Sequence, residues 1–126
     1  MQSFSELATG SEKTKIDKFI GTCLQSVAYA HSAHFATKSY EKHMAYEYFY
    51  EEMPRAIDAF VETYIAQGHT YREMLPVSKT DFAEIVANIA KEAQLISETA
   101  KNAVTKTTAD NIQQVCLQTI YKLRLS

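Results

Sequence analysis

The chain has 126 residues, 46% of them apolar and 22% charged, with three Gly and two Pro. That is enough for one core without disulfide staples and points to a single, mostly helical domain over 1–126. A formal charge of −2 and an N-terminal segment, Met1 to Gly10, without Lys or Arg leave no basic arm for phosphates, so strong nucleic-acid binding is not expected.

No apolar run approaches the ~20 residues of a membrane span, and the N-terminus lacks the charged-then-apolar order of a signal peptide. No membrane partner is expected, and the expected location is intracellular, in the cytoplasm. Ser11 is placed to cap a first helix over 11–35, whose apolar positions Ile16, Ile20, Cys23 and Val27 recur at steps of three and four. That stripe ends in His31 and His34. A second helix over 39–67 starts near Ser39, carries Tyr40, His43, Glu47, Tyr50, Ile57, Val61 and Tyr64 toward its inner side, and stops at Gly68 as a C-terminal cap. Pro54 removes a backbone donor and clashes with the carbonyl four residues back, so a kink or break is expected between Glu47 and Asp58.

The stretch 69–80 has no strong period and contains Pro76, which makes it the longest connection. Asp81 with Glu84 reads as a capping pair for a third helix over 81–103, with Phe82, Ile85, Val86, Ile89, Leu95 and Ile96 as its apolar face. Thr107 or Thr108 caps a last helix over 108–124, striped by Ile112, Val115, Cys116, Thr119, Ile120 and Leu123. Cys23 and Cys116 lie far apart on two such stripes, without zinc-ligand spacing, and read as buried reduced thiols. No alternating strand pattern competes, so the fold class is all-α, a four-helix bundle.

Chemistry concentrates in His34, His43, Glu47, Asp58 and Glu62, with His31 one turn behind His34. Imidazoles and carboxylates at one-turn spacing suit a divalent first-row metal, and clustered acids near an apolar surface repel one another unless a cation or His neutralises them. His43 and Glu47 are four apart, as are Asp58 and Glu62, so each pair shares a helix face. From His43 to Asp58 the helix rises roughly 22 Å at about 1.5 Å per residue. Both pairs cannot hold one ion in one chain. They serve separate sites, or they meet across a two-fold axis between antiparallel copies, which favours a homodimer or larger homo-oligomer. His69 and Glu92 read as boundary or solvent residues. The aromatic run Tyr46, Tyr48, Phe49, Tyr50, with Phe60 and Tyr64, reads as packing that could also shelter an oxidising centre.

The run His31-Ser32-Ala33-His34-Phe35, then His43 and Glu47, then Asp58-Ala59-Phe60-Val61-Glu62 and Gly68, resembles the Dps-type miniferritins of the ferritin-like superfamily. Their pattern is H-x-x-H-W, a second His with an acid four residues on, then D-x-x-x-E and a glycine. The wording Ala36-Thr37-Lys38-Ser39-Tyr40 is similar to small ferritin-like proteins of tailed phages. The resemblance covers roughly residues 15 to 70, and the last two helices by length and pattern alone. It implies a ferritin-like four-helix bundle and a ferroxidase that oxidises Fe²⁺ to Fe³⁺ with peroxide or dioxygen at sites shared between subunits, with Zn²⁺ or Mn²⁺ as substitutes for iron. His34 and His43 of one chain would act with Asp58 and Glu62 of the other, and Glu47 would hold a second metal or a bridging water. Phe35 stands where the family has Trp, and the shorter link leaves His31 at the family's separation of twelve from His43, whereas His34 keeps the aromatic neighbour. Pro54 has no counterpart in the pattern, and the lysine-rich DNA-binding tail and the E-x-x-H pair of ordinary ferritins are absent. The alternative function is a non-enzymatic helical interaction protein on the same scaffold.

Overall fold

The described residues of the computed structural model, 4–75 and 81–126 with side chains from Lys13 onward, form four helices and no strand. These are α1 (Phe4–Ala36), α2 (Tyr40–Ala66), α3 (Phe82–Thr99) and α4 (Ala103–Arg124). The expected four-helix arrangement is present, with several boundaries moved by local chemistry.

α1 begins at Phe4, so Ser11 lies inside the helix rather than capping it. Glu6, Leu7 and Ala8 are good helix formers and carry the helix upstream of the apolar stripe. α2 is capped as expected: the Ser39 side chain accepts from the Lys42 N–H at 3.2 Å. Just past its end, Gly68 has φ +101° and donates its N–H to the Ile65 carbonyl at 2.9 Å. The helix runs unbroken through Pro54, because Met53 and Ile57 on either side are anchored in the core. Asp81 caps α3 through the Ala83 N–H. α3 stops at Thr99 rather than at 103, and the α4 cap is Asn102, five residues upstream of Thr107. Asn102 sits in extended backbone and accepts from the Val104 and Thr105 N–H groups at 2.8 and 3.2 Å, whereas the Thr108 hydroxyl bonds the Val104 carbonyl within its own helix.

The hairpins α1–α2 and α3–α4 each turn through a short link, so both pairs are antiparallel. Phe82, at the start of α3, packs its ring 5.5 Å from Tyr29, 5.3 Å from Tyr46 and 5.1 Å from Phe49, at the end where α1 turns into α2. Gln67, at the far end of α2, bonds Thr105 in the first turn of α4. The chain therefore returns along the bundle between α2 and α3. α1 and α4 run one way, α2 and α3 the other, in the cyclic order α1, α2, α4, α3.

The core is built from Phe19, Ile20 and Cys23 of α1, Phe49, Met53, Ile57 and Phe60 of α2, Phe82, Val86 and Ile89 of α3, and Ile112, Val115 and Cys116 of α4. On α2 the inward line is Ala45, Phe49, Met53, Ile57, Phe60 and Tyr64. Tyr40, expected inside, is 72% exposed, and His43, Glu47 and Tyr50 lie on the flank, half-buried. Leu95 of α3 was likewise expected inside and is 54% exposed, since it falls about 120° around the helix from Ile89 at ~100° per residue. Burial, and then the nearby Cys116, pushes the Cys23 thiol well above its ordinary range. Burial pushes Cys116 up to about 12, so both are reduced, unreactive core residues, as their stripes suggested.

Candidate metal centre

A three-residue link, 37–39, joins α1 to α2, and it sets the last turn of α1 beside the first turns of α2. His34 and His43 meet there. Their rings stack at 3.7 Å between centroids with a 30° tilt, and His34 is 8% exposed.

Each ring is oriented by the other residue's backbone. Nδ1 of His34 lies 3.1 Å from the His43 carbonyl oxygen, and Nδ1 of His43 lies 3.3 Å from the His34 carbonyl oxygen. A carbonyl can only accept, so each Nδ1 carries the proton and donates. The His34 carbonyl belongs to the last turn of α1, where helix geometry leaves it without an intrahelical donor, and His43 supplies one. The consequence is chemical. With Nδ1 protonated, each neutral imidazole keeps its lone pair on Nε2, the arrangement in which protein histidines bind metals.

Glu47 follows His43 by one turn of α2. One potential ligand atom from each of His34, His43 and Glu47 lies within 4.8 Å of the others, and no other such triple occurs among the described residues. Two neutral imidazoles and one carboxylate can hold a divalent transition metal with coordination positions left over. Tyr50 is packed edge-on against His34 at 5.2 Å and face-on against His31 at 4.4 Å. Partial burial, and after it Glu47 and Glu51, raises the Tyr50 phenol above its ordinary value, so it stays neutral beside the cluster.

Of the other candidates, His31 is exposed and stacked between Tyr50 and Phe35, outside the cluster although one turn from His34. Asp58 and Glu62 are exposed on the far half of α2 and are not brought to His34 and His43 within one chain. Glu92 is exposed on α3, and His69 is exposed while stacking on Tyr64 at 4.3 Å. Three buried polar residues escaped the sequence pattern, Ser26, Ser97 and the acid Asp17. Asp17 is 2% exposed, and its Oδ1 has no hydrogen-bond partner among the described residues. Its position between the apolar Ile16 and Phe19 was the signal that could have found it.

Bundle and cluster together define a small all-helical protein with a histidine-rich candidate metal centre at the tip of a helical hairpin. The chain belongs to the family of unknown function DUF5856, whose model matches residues 34–123 and so contains His34, His43, Glu47, Asp58 and Glu62. It is 34% identical to the uncharacterized 14.6 kDa protein in the mobD-ri intergenic region of Enterobacteria phage T4, over 97% of this chain and 98% of that one. No solved structure matches the chain. Among the described residues no helix is long and apolar enough to cross a membrane.

Proposed function

We propose that the protein is a miniferritin-like ferroxidase that takes up Fe²⁺ at His34, His43 and Glu47 and completes the ligand shell with Asp58 and Glu62 of a second copy. The observation that carries this reading is the reciprocal pair of Nδ1–carbonyl bonds, which fixes both imidazoles in the metal-binding tautomer beside Glu47. A ferritin-like fold is supported by the helix directions, two antiparallel hairpins joined by one long connection along the bundle. The separation of His43 from Asp58 along one unbroken helix favours shared sites over a shell closed within one chain.

In this reading the neutral imidazoles bind Fe²⁺ without adding charge, and the carboxylates favour the ferric product as it forms. Two Fe²⁺ each release one electron to one peroxide, which accepts two electrons and yields two hydroxides. The half-buried Glu47 also offers an acceptor for protons released when water joins the ferric ion.

The test is complementation between two dead variants. His34→Ala/His43→Ala mixed and refolded with Asp58→Ala/Glu62→Ala gives heterodimers with one complete site, whereas neither parent has any. Ferric-iron formation on adding Fe²⁺ and peroxide should rise at least tenfold in the heterodimer over both parents. Heterodimers no faster than their parents would sink the shared site.

A further inference from the structure

The outward ridge of α4 repeats at alternating steps of four and three through Asp110, Gln114, Leu117, Tyr121 and Arg124, a seam with no neighbour in the bundle. Leu117 is 52% exposed and Tyr121 63%. The residues flanking the ridge are occupied within the chain: Gln113 bonds Gln94 of α3, Gln118 bonds Tyr48 of α2, and the Lys122 ammonium lies 5.1 Å over the Tyr48 ring. The ridge residues have no such ties. Among the described residues Asp110, Gln114, Tyr121 and Arg124 make no side-chain hydrogen bond or ion pair, although Arg124 also borders a groove containing Glu84. Asp110, Gln114, Leu117 and Tyr121 line one shallow depression.

The order along this ridge is self-complementary. Two helices packed antiparallel about a two-fold axis place residues opposite one another when their numbers have a constant sum. With Leu117 on the axis, Asp110 falls opposite Arg124 of the other copy, because each lies seven residues from Leu117. Gln114 falls opposite Tyr121 within one residue, about 1.5 Å of helix rise. Asp110 and Arg124 are the only charged side chains on the seam, and they are of opposite sign. A parallel pairing would instead set Asp110 against Asp110 and Arg124 against Arg124.

We infer that this ridge is a homotypic docking surface, on which a second copy of the chain packs α4 against α4 antiparallel, with Leu117 at the two-fold axis and an Asp110–Arg124 ion pair at each end. It is a different surface from the α1–α2 flank that carries the metal cluster, and it does not depend on metal binding. A chain with both contacts grows beyond a dimer. One copy of the chain is the occupant that the alternation of charge along the ridge selects.

The decisive experiment is disulfide trapping. Leu117→Cys, oxidised mildly at micromolar concentration, should form a covalent dimer in high yield, while Asn111→Cys, exposed on another face of α4, should not. The native Cys23 and Cys116 are buried and stay silent. Charge reversal supplies the second arm, read as the dimerisation constant by analytical ultracentrifugation on metal-free protein. Asp110→Arg alone and Arg124→Asp alone should each weaken association at least tenfold, and the double swap should restore it, because it rebuilds the pair with reversed sign. Circular dichroism confirms that each variant is folded. Failure of Leu117→Cys to crosslink above the Asn111→Cys level, or a double swap no better than the single variants, overturns the assignment. Ferroxidase activity of the Asp110→Arg variant separates the two proposals: its persistence while association through α4 is lost leaves the metal reading standing.

Discussion

His34 and His43 each depend on the other's backbone, and this mutual arrangement is what a metal centre needs before any metal arrives. A histidine free to flip between tautomers offers its lone pair part of the time; one held by a carbonyl offers Nε2 all of the time. Asp17 is the opposite case, a buried carboxylate with an oxygen that nothing among the described residues satisfies. Taking a carboxylate out of water costs more than taking out an amide of the same shape. Asp17→Asn is therefore expected to stabilise the fold by about 1 kcal/mol, the scale of one unsatisfied buried polar atom. Urea denaturation at neutral pH measures it. A loss of similar size would mean that the Asp17 carboxylate holds a cation or a water that the asparagine cannot.

At the scale of the helix, Pro54 is the anomaly, since α2 continues through it for three more turns. Proline gives the Tyr50 carbonyl no intrahelical donor, and core anchoring at Met53 and Ile57 outweighs that deficit. Pro54→Ala restores the donor and relieves the ring clash, so it should raise stability by about 1–3 kcal/mol, at the lower end if α2 has already bent to accommodate the ring. A destabilised Pro54→Ala would show that the backbone path set by the proline is required for packing. The same helix shows what the sequence made legible. Its start at Ser39 and its end at Gly68 followed from capping chemistry, and the adjacency of His43 and Glu47 followed from helical period. Its inner face was placed rightly at Ile57 and Tyr64 and misplaced in the first half, because Tyr40, His43, Glu47 and Tyr50 look like a stripe at steps of three and four, and only tertiary packing reveals that Ala45, Phe49 and Met53 win the interior. Likewise Asn102 outcompetes Thr107 as the α4 cap, in keeping with the stronger capping preference of Asn, whose side chain in extended backbone reaches two N–H groups. The contact between His34 and His43 was legible only as proximity in sequence. The reciprocal carbonyl bonds depend on how tightly the hairpin turns at 37–39.

For the whole molecule, binding and folding are coupled if the cluster takes a metal. Ligand at ~100-fold its dissociation constant adds about 2.7 kcal/mol to a folded state that alone binds it, which for a domain of this size moves the melting temperature by roughly 10 °C. Zn²⁺, or Fe²⁺ without oxygen, should produce that shift in the wild type and almost none in His43→Ala. The shared-site reading adds a condition that a site within one chain lacks. If Asp58 and Glu62 reach the metal only from a second copy, two chains and their metals unfold together, and the metal-induced rise in melting temperature must grow with protein concentration, beyond any dependence that association through α4 gives the metal-free protein. Asp58→Asn should remove most of that dependence by severing the metal from the interface, while the His34, His43 and Glu47 triple remains within each chain. Melts over a hundredfold range of concentration decide the matter. A metal-induced shift of the same size at every concentration, unchanged in Asp58→Asn, would confine the ion to His34, His43 and Glu47 and leave the far half of α2 without a part in binding.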